Sequence, residues 1–230
     1  MVAITGGSVP AGPATWLDPD AHSSPTAGST EQRIAEALLT CMGRWGLAKT
    51  TVEDIAREAG VSRATVYRLF PGGKAAISEA AALADVARLV DTLRVGLEGV
   101  TDRTERLAGA LCLAARFFAD HEALNFVREH EPDEFERLVR LERLDALLVA
   151  AGELVGPVLL PVFDDDVQAR EAAVWLGRLV ASHVITPSPS LDLTDADAAR
   201  RVVTTFVLPG LTALTVLVLP TAPPPPRSIP

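Results

Sequence analysis

Arg63 and Arg68 are the side chains of this chain best equipped for recognition chemistry. An arginine fork can donate two parallel hydrogen bonds to O6 and N7 of a guanine edge in a duplex major groove. Ala64 beside them can meet a thymine methyl. Thr51, Tyr67 and Lys74 suit phosphate oxygens, which fix register without carrying sequence information. Ser62, Thr65 and Lys49 lie around the same group and complete the candidate DNA-binding set.

Such residues act together only if a helix presents them on one side. The stretch Thr51–Phe70, TVEDIAREAGVSRATVYRLF, has the pattern of two short helices joined by a tight turn. Val52, Ile55, Ala56 and Ala59 recur at three- and four-residue steps and give the first helix one buried face. Gly60 suits the positive φ at which a helix ends, Val61 plugs the turn, and the Ser62 hydroxyl is placed to cap the second helix. Val66, Leu69 and Phe70 then point inward, which turns Ala64 and Arg68 outward with Thr65 and Tyr67 flanking them. This is the geometry of a helix-turn-helix whose second helix enters a major groove.

The same stretch resembles the tetracycline-repressor (TetR) family of transcriptional regulators. The family pattern Thr-x-x-x-Ile-Ala-x-x-Ala-Gly-Val-Ser-x-x-Thr-x-Tyr-x-x-Phe, with a lysine soon after, is filled by Thr51, Ile55, Ala56, Ala59, Gly60, Val61, Ser62, Thr65, Tyr67, Phe70 and Lys74. The resemblance covers residues 30–80 or so. One departure stands out: the family separates its Phe and Lys by two residues, and here Pro71, Gly72 and Gly73 make three. That extra residue is the only support for an alternative, a dimeric helical interaction or ligand-binding protein without specific DNA binding.

Charge follows the same division. The net charge of −9 argues by itself against a polyanionic partner, but its distribution does not. Residues 30–76 hold seven basic against five acidic side chains, a net +2, which leaves −11 on the rest of the chain. Both lysines of the protein, Lys49 and Lys74, fall in this segment. A mildly basic head on an acidic body keeps the body away from the phosphate backbone.

Enzyme chemistry finds little footing. Pro71-Gly72-Gly73-Lys74 looks faintly like a phosphate-binding loop, but Arg68 stands where the first glycine belongs and Ala75 replaces the Ser/Thr. There is no nucleophile elbow, paired-histidine zinc motif or dinucleotide fingerprint. Cys41 and Cys112 make neither a disulfide framework nor a metal cluster, and His121, His130 and His183 are too scattered for metal ligation. We expect no catalysis, metal or cofactor. Cys41 falls on the apolar stripe of Ile34, Leu38 and Trp45, as a core residue does, and free thiols suit a bacterial cytoplasm, with the protein at the nucleoid.

The remaining pattern is helical throughout. Ser29-x-x-Gln32 is a capping-box start for a first helix ending near Gly46. After the motif, the spacing predicts helices over 75–97, 103–119 and 122–129. A long helix is predicted from Pro132 to 155–162 with a kink at Gly156-Pro157, and two more over 166–186 and 194–219. No run alternates at period two. The fold class is therefore all-α, a three-helix DNA-binding domain over 30–76 followed by a larger helical domain over 77–219, to which the TetR resemblance assigns effector binding and dimerisation. Residues 1–29 (rich in Gly, Pro, Ser and Ala) and the proline-rich 220–230 read as disordered extensions. Val202–Leu219 is uncharged and at the margin of a membrane span. Its threonines and Pro209-Gly210 favour a soluble dimer interface, with no membrane partner.

The TetR resemblance implies a homodimer whose last two helices join a four-helix bundle and whose heads bind a palindromic double-stranded operator. Trp175, Leu179, Leu211 and Leu214 are the candidate interface residues. It also implies a small-molecule cavity among the middle helices. Phe117, Phe118, Phe126 and Trp175 are the aromatic candidates for its wall, and the scarcity of polar residues there points to an apolar effector that releases a repressor.

Overall fold

Helix caps divide this chain more clearly than its loops do. The computed structural model describes residues 28–188 and 190–211, and every regular element among them is helical. The expected disorder of the two extensions, the partner role of Leu214 and the stretch 212–219 lie outside the described residues.

Helix α1 (Thr30–Trp45) starts where the Ser29 hydroxyl accepts from Gln32 N–H and stops at Gly46, whose φ of 87° only glycine adopts easily. Helices α2 (Val52–Glu58) and α3 (Arg63–Leu69) follow. Helix α4 (Lys74–Gly96) runs on from a tight turn closed by Gly73 at φ 60°, where Gly73 N–H donates to Phe70 O at 2.9 Å. The three-residue Pro71–Gly73 spacer is thus absorbed in one turn between α3 and α4.

Helices α5 (Arg103–Ala119) and α6 (Glu122–His130) fall close to their predicted bounds, capped by Asp102 and, less usually, by the His121 ring. The single long helix expected from Pro132 does not form. The structure has α7 (Pro132–Leu138), a break where Arg140 leaves helical geometry at ψ 133°, and α8 (Leu141–Leu159), which ends in a 3-10 turn at Leu160–Val162. The break serves two cores: Phe135 of α7 is buried with α1 and α6, whereas α8 packs along α9 (Asp166–Ile185) and α4. Helix α8 continues through Pro157, so the expected kink site lies inside a helix.

The final predicted helix is also more divided than expected. Helix α10 (Ala196–Val202) begins with an Asp195 cap, widens into a π turn at Val203–Val207 and resumes helical form to Leu211. In that turn Leu208 N–H donates to Val203 O, five residues back. Pro209 follows directly, and a proline has no N–H to donate and crowds the carbonyl four residues earlier, so a widened turn just before it relieves the conflict.

Two apolar clusters result among the described residues. One centres on α5, flanked by α4, α8, α9 and α10, and holds Leu93, Leu107, Leu111 and Leu159. The other lies under α2 and α3 and continues past residue 76, taking in Ile77 and Ala81 of α4, Ala123 and Val127 of α6, and Phe135. The body thus supplies part of the floor of the N-terminal helices. Cys41 and Cys112 are buried free thiols, and burial pushes both up.

Among the described residues one stretch, Leu144–Val162, is long and apolar enough by length and composition to cross a membrane. It packs tightly on α9: a Cβ on Gly152 would meet the Val174 side chain at 2.6 Å, and one on Gly156 would meet Arg170 at 2.7 Å.

Candidate nucleic-acid interface

Helix α2 is held at its start by a full capping box. The Thr51 hydroxyl accepts from Asp54 N–H at 3.2 Å and donates to Asp54 Oδ2 at 2.6 Å, and Thr51 N–H returns to the same carboxylate at 3.1 Å. These hydrogen bonds hold the Asp54 carboxyl below its ordinary value. Gly60 at φ 67° makes the turn, and the Ser62 hydroxyl accepts from Thr65 N–H at 3.1 Å to start α3. Ile55, Ala56 and Val66 are buried beneath, so α3 is pressed onto α2 by its apolar side alone.

The opposite side of α3 is open. Ser62, Arg63, Ala64, Tyr67 and Arg68 are exposed, with Thr65 half-buried between them. Arg63 lies over the Tyr67 ring at 5.4 Å and reaches its hydroxyl at 3.5 Å, which keeps this pair erect. Among the described residues no side-chain partner engages Arg68 or the exposed Lys49. The sequence-predicted residues thus fall into two groups. Arg63, Ala64, Tyr67 and Arg68 form one outward face, whereas the hydroxyls of Thr51 and Ser62 are engaged as helix caps.

Lys74 stands apart. Its ammonium donates to Leu47 O at 2.9 Å and Thr50 O at 3.2 Å, tying the start of α4 to the turn before α2. The same turn is gripped from the other side, where Leu47 N–H donates to Glu131 Oε2 at 2.5 Å and Ala48 N–H to the same carboxylate at 3.2 Å. Glu131 sits at the α6–α7 junction, and nothing in the local sequence marks it as a partner of residues 47 and 48.

Behind the head lies a cavity of about 250 Å³. Leu38 and Met42 of α1 form one wall, and α4, α5, α6, α8 and α9 supply the others. Of the aromatic candidates Phe118 lines it. Phe117 instead packs edge-on against Phe118 at 5.2 Å, Phe126 stacks on His130 at 4.4 Å, and Trp175 is half exposed on the outer side of α9. The wall is mostly Leu, Val and Ala, with Ser78, Asp85 and His121 as its polar members. Leu179 is half-buried against the body core, and Leu211 is buried within its own chain. Among the described residues no group of three or more His, Cys, Asp or Glu is gathered closely enough to hold a metal ion.

A two-helix motif with an open polar face, seated on a larger helical body, defines a DNA-binding transcriptional regulator of the helix-turn-helix class. Residues 34–81 match the family model of the bacterial regulatory proteins of the tetR family. An uncharacterized HTH-type transcriptional regulator of Mycobacterium tuberculosis is 28% identical over 182 residues, 78% of this chain and 84% of that protein. A second from the same organism is 34% identical over 92 residues, 40% of this chain and 46% of its own length. Among solved structures, the TetR family repressor AlkX from Dietzia sp. superposes with a TM-score of 0.63 at 22% identity, covering 79% of this chain and 97% of that one. The fatty acid degradation regulator FadR from Bacillus halodurans gives 0.50 at 21% identity, covering 79% of this chain and 97% of that one. These likenesses support the fold.

Proposed function

We propose that this regulator is a homodimeric repressor, cytoplasmic and released from a palindromic operator by an apolar small molecule. The observation that carries the reading is the shared wall of the cavity: Leu38 and Met42 belong to α1 of the DNA-binding head, while Leu148 and Leu176 belong to the body. A guest there touches both parts at once and can bias their relative placement. A mostly hydrocarbon wall selects an apolar guest, since each polar group brought in without a partner is penalised. AlkX is implicated in biodegradation of n-alkanes and FadR in fatty acid degradation, both concerned with apolar chains.

In this reading the head spans about residues 30–76 and the effector-binding and dimerisation domain 77–219. Arg63 and Arg68 contact base edges, Ala64 meets a thymine methyl, and Tyr67 and Lys49 contact phosphate. Two heads on a symmetric dimer then engage successive major grooves. Trp175 on α9 and Phe206 in the π turn, 53% and 71% exposed, offer the last two helices an apolar outer side for the partner.

Release requires that the guest bind the non-matching arrangement of the heads more tightly than the DNA-bound one, by several kcal/mol for a clean switch. The test pairs two measurements on one set of apolar compounds: the melting temperature of the free protein and its operator affinity. Compounds that raise the first should lower the second. Compounds that raise melting temperature and leave operator affinity unchanged contradict the coupling.

A further inference from the structure

The cavity has one polar end, and the hydrogens there are already committed. Leu124 N–H donates to His121 Nδ1 at 3.1 Å as the cap of α6, so the ring proton sits on Nε2. That Nε2–H donates to Asp85 Oδ2 at 3.0 Å, and the Arg88 guanidinium donates to Asp85 Oδ1. The Ser78 hydroxyl donates to Lys74 O at 2.9 Å. What Ser78, Asp85 and His121 leave to a guest is lone pairs: those of the Ser78 oxygen and the remaining acceptor sites of the nearly buried Asp85 carboxylate. Among the described residues no lysine or arginine lines the cavity.

We infer that the effector is an apolar molecule bearing a hydrogen-bond donor at one end, a hydroxyl or an amine, and that the cavity discriminates against carboxylates. This rests on the reading of the cavity as the effector site and adds the chemistry of the head group. A hydroxyl or ammonium brought to Ser78 and Asp85 finds acceptors that replace part of its hydration. A fatty carboxylate in the same place finds no lysine or arginine among the described residues of the wall, and the donors of His121 and Arg88 that face Asp85 are already engaged by it. A plain alkane fills the apolar part and leaves the acceptors without a guest partner. The volume suits a medium-length chain, since an apolar cavity of ~150 Å³ already takes up benzene.

The experiment is a calorimetric titration of the full chain with dodecanol, dodecylamine, dodecanoate and dodecane, each below its aggregation threshold. Dodecanol and dodecylamine should bind at least about tenfold more tightly than dodecanoate and more tightly than dodecane. Asp85→Asn, which places an amide donor at the same position, should narrow the gap by strengthening dodecanoate and weakening dodecylamine. Ser78→Ala should weaken dodecanol more than it weakens dodecane, in a variant whose cooperative thermal unfolding shows that it is folded. Dodecanoate binding to the wild type as tightly as dodecanol overturns the donor-head rule, as does dodecane binding equally well. If none of the four binds, the cavity is not the effector site, and the wider reading falls with the narrower one.

Discussion

Lys74 has three donors, and two of them are satisfied by carbonyl oxygens of its own chain. Hydrogen bonds to a charged donor contribute about 1.5–3 kcal/mol, so Lys74→Ala should lower folding stability by that order in urea titration, as well as any effect on DNA. Unchanged stability with weakened DNA binding would instead return Lys74 to a phosphate-contacting role alone. Asp54 gives a pH prediction of definite sign. Hydrogen bonds from Thr51 hold its carboxyl below the ordinary 3.8 in the folded state. The stabilisation is therefore complete above that value and disappears as pH falls through the lower folded value. Amide exchange should show helix α2 loosening only as the pH falls below that value, and Asp54→Asn should remove that pH dependence.

At the scale of elements, the α6–α7 junction is tied to the α1–α2 turn through Glu131. A Cβ on Gly46 would collide with the Glu131 carboxylate, and Gly46 already needs a positive φ. Gly46→Ala should therefore cost about 2 kcal/mol or more from backbone strain and loss of the clamp, measured by thermal or urea unfolding. Glu131→Gln, which keeps the acceptor oxygen but loses the charge, should cost less. The helix-turn-helix was legible because its evidence is local: caps at Thr51 and Ser62, a glycine at the turn, and apolar residues at helical steps. The break at residues 139–140 was not, because neither Val139 nor Arg140 is a helix breaker and the break follows from α7 and α8 serving different cores. The cavity's polar end was equally hidden. Asp85 and His121 lie on different elements 36 residues apart, and no local pattern joins them. Looking to aromatic residues for the wall found Phe118 and passed over the leucines, valines and alanines that form most of it.

For the whole molecule, the acidic body and the mildly basic head orient the protein toward DNA head first. The dimer proposal separates two substitutions that look alike in the sequence. Trp175→Glu changes a half-exposed residue and should shift the hydrodynamic mass from twice the 24.3 kDa chain toward one copy without unfolding it. Leu211→Glu puts a charge into the body core, and it should lower stability by several kcal/mol whether or not a partner is bound. A wild-type monomer at micromolar concentration would remove the basis for a palindromic operator.

The most direct measurement is an anisotropy titration at fixed salt, comparing an operator selected from a random pool with its scrambled sequence. It is run for the wild type and for Arg68→Ala. The wild type should prefer the operator by a factor of about 10³ or more, and Arg68→Ala should lose about 1–3 kcal/mol on the operator with little change on the scrambled duplex. Equal affinity of the wild type for both duplexes, or an equal loss on both for Arg68→Ala, would contradict base reading by the exposed face of α3.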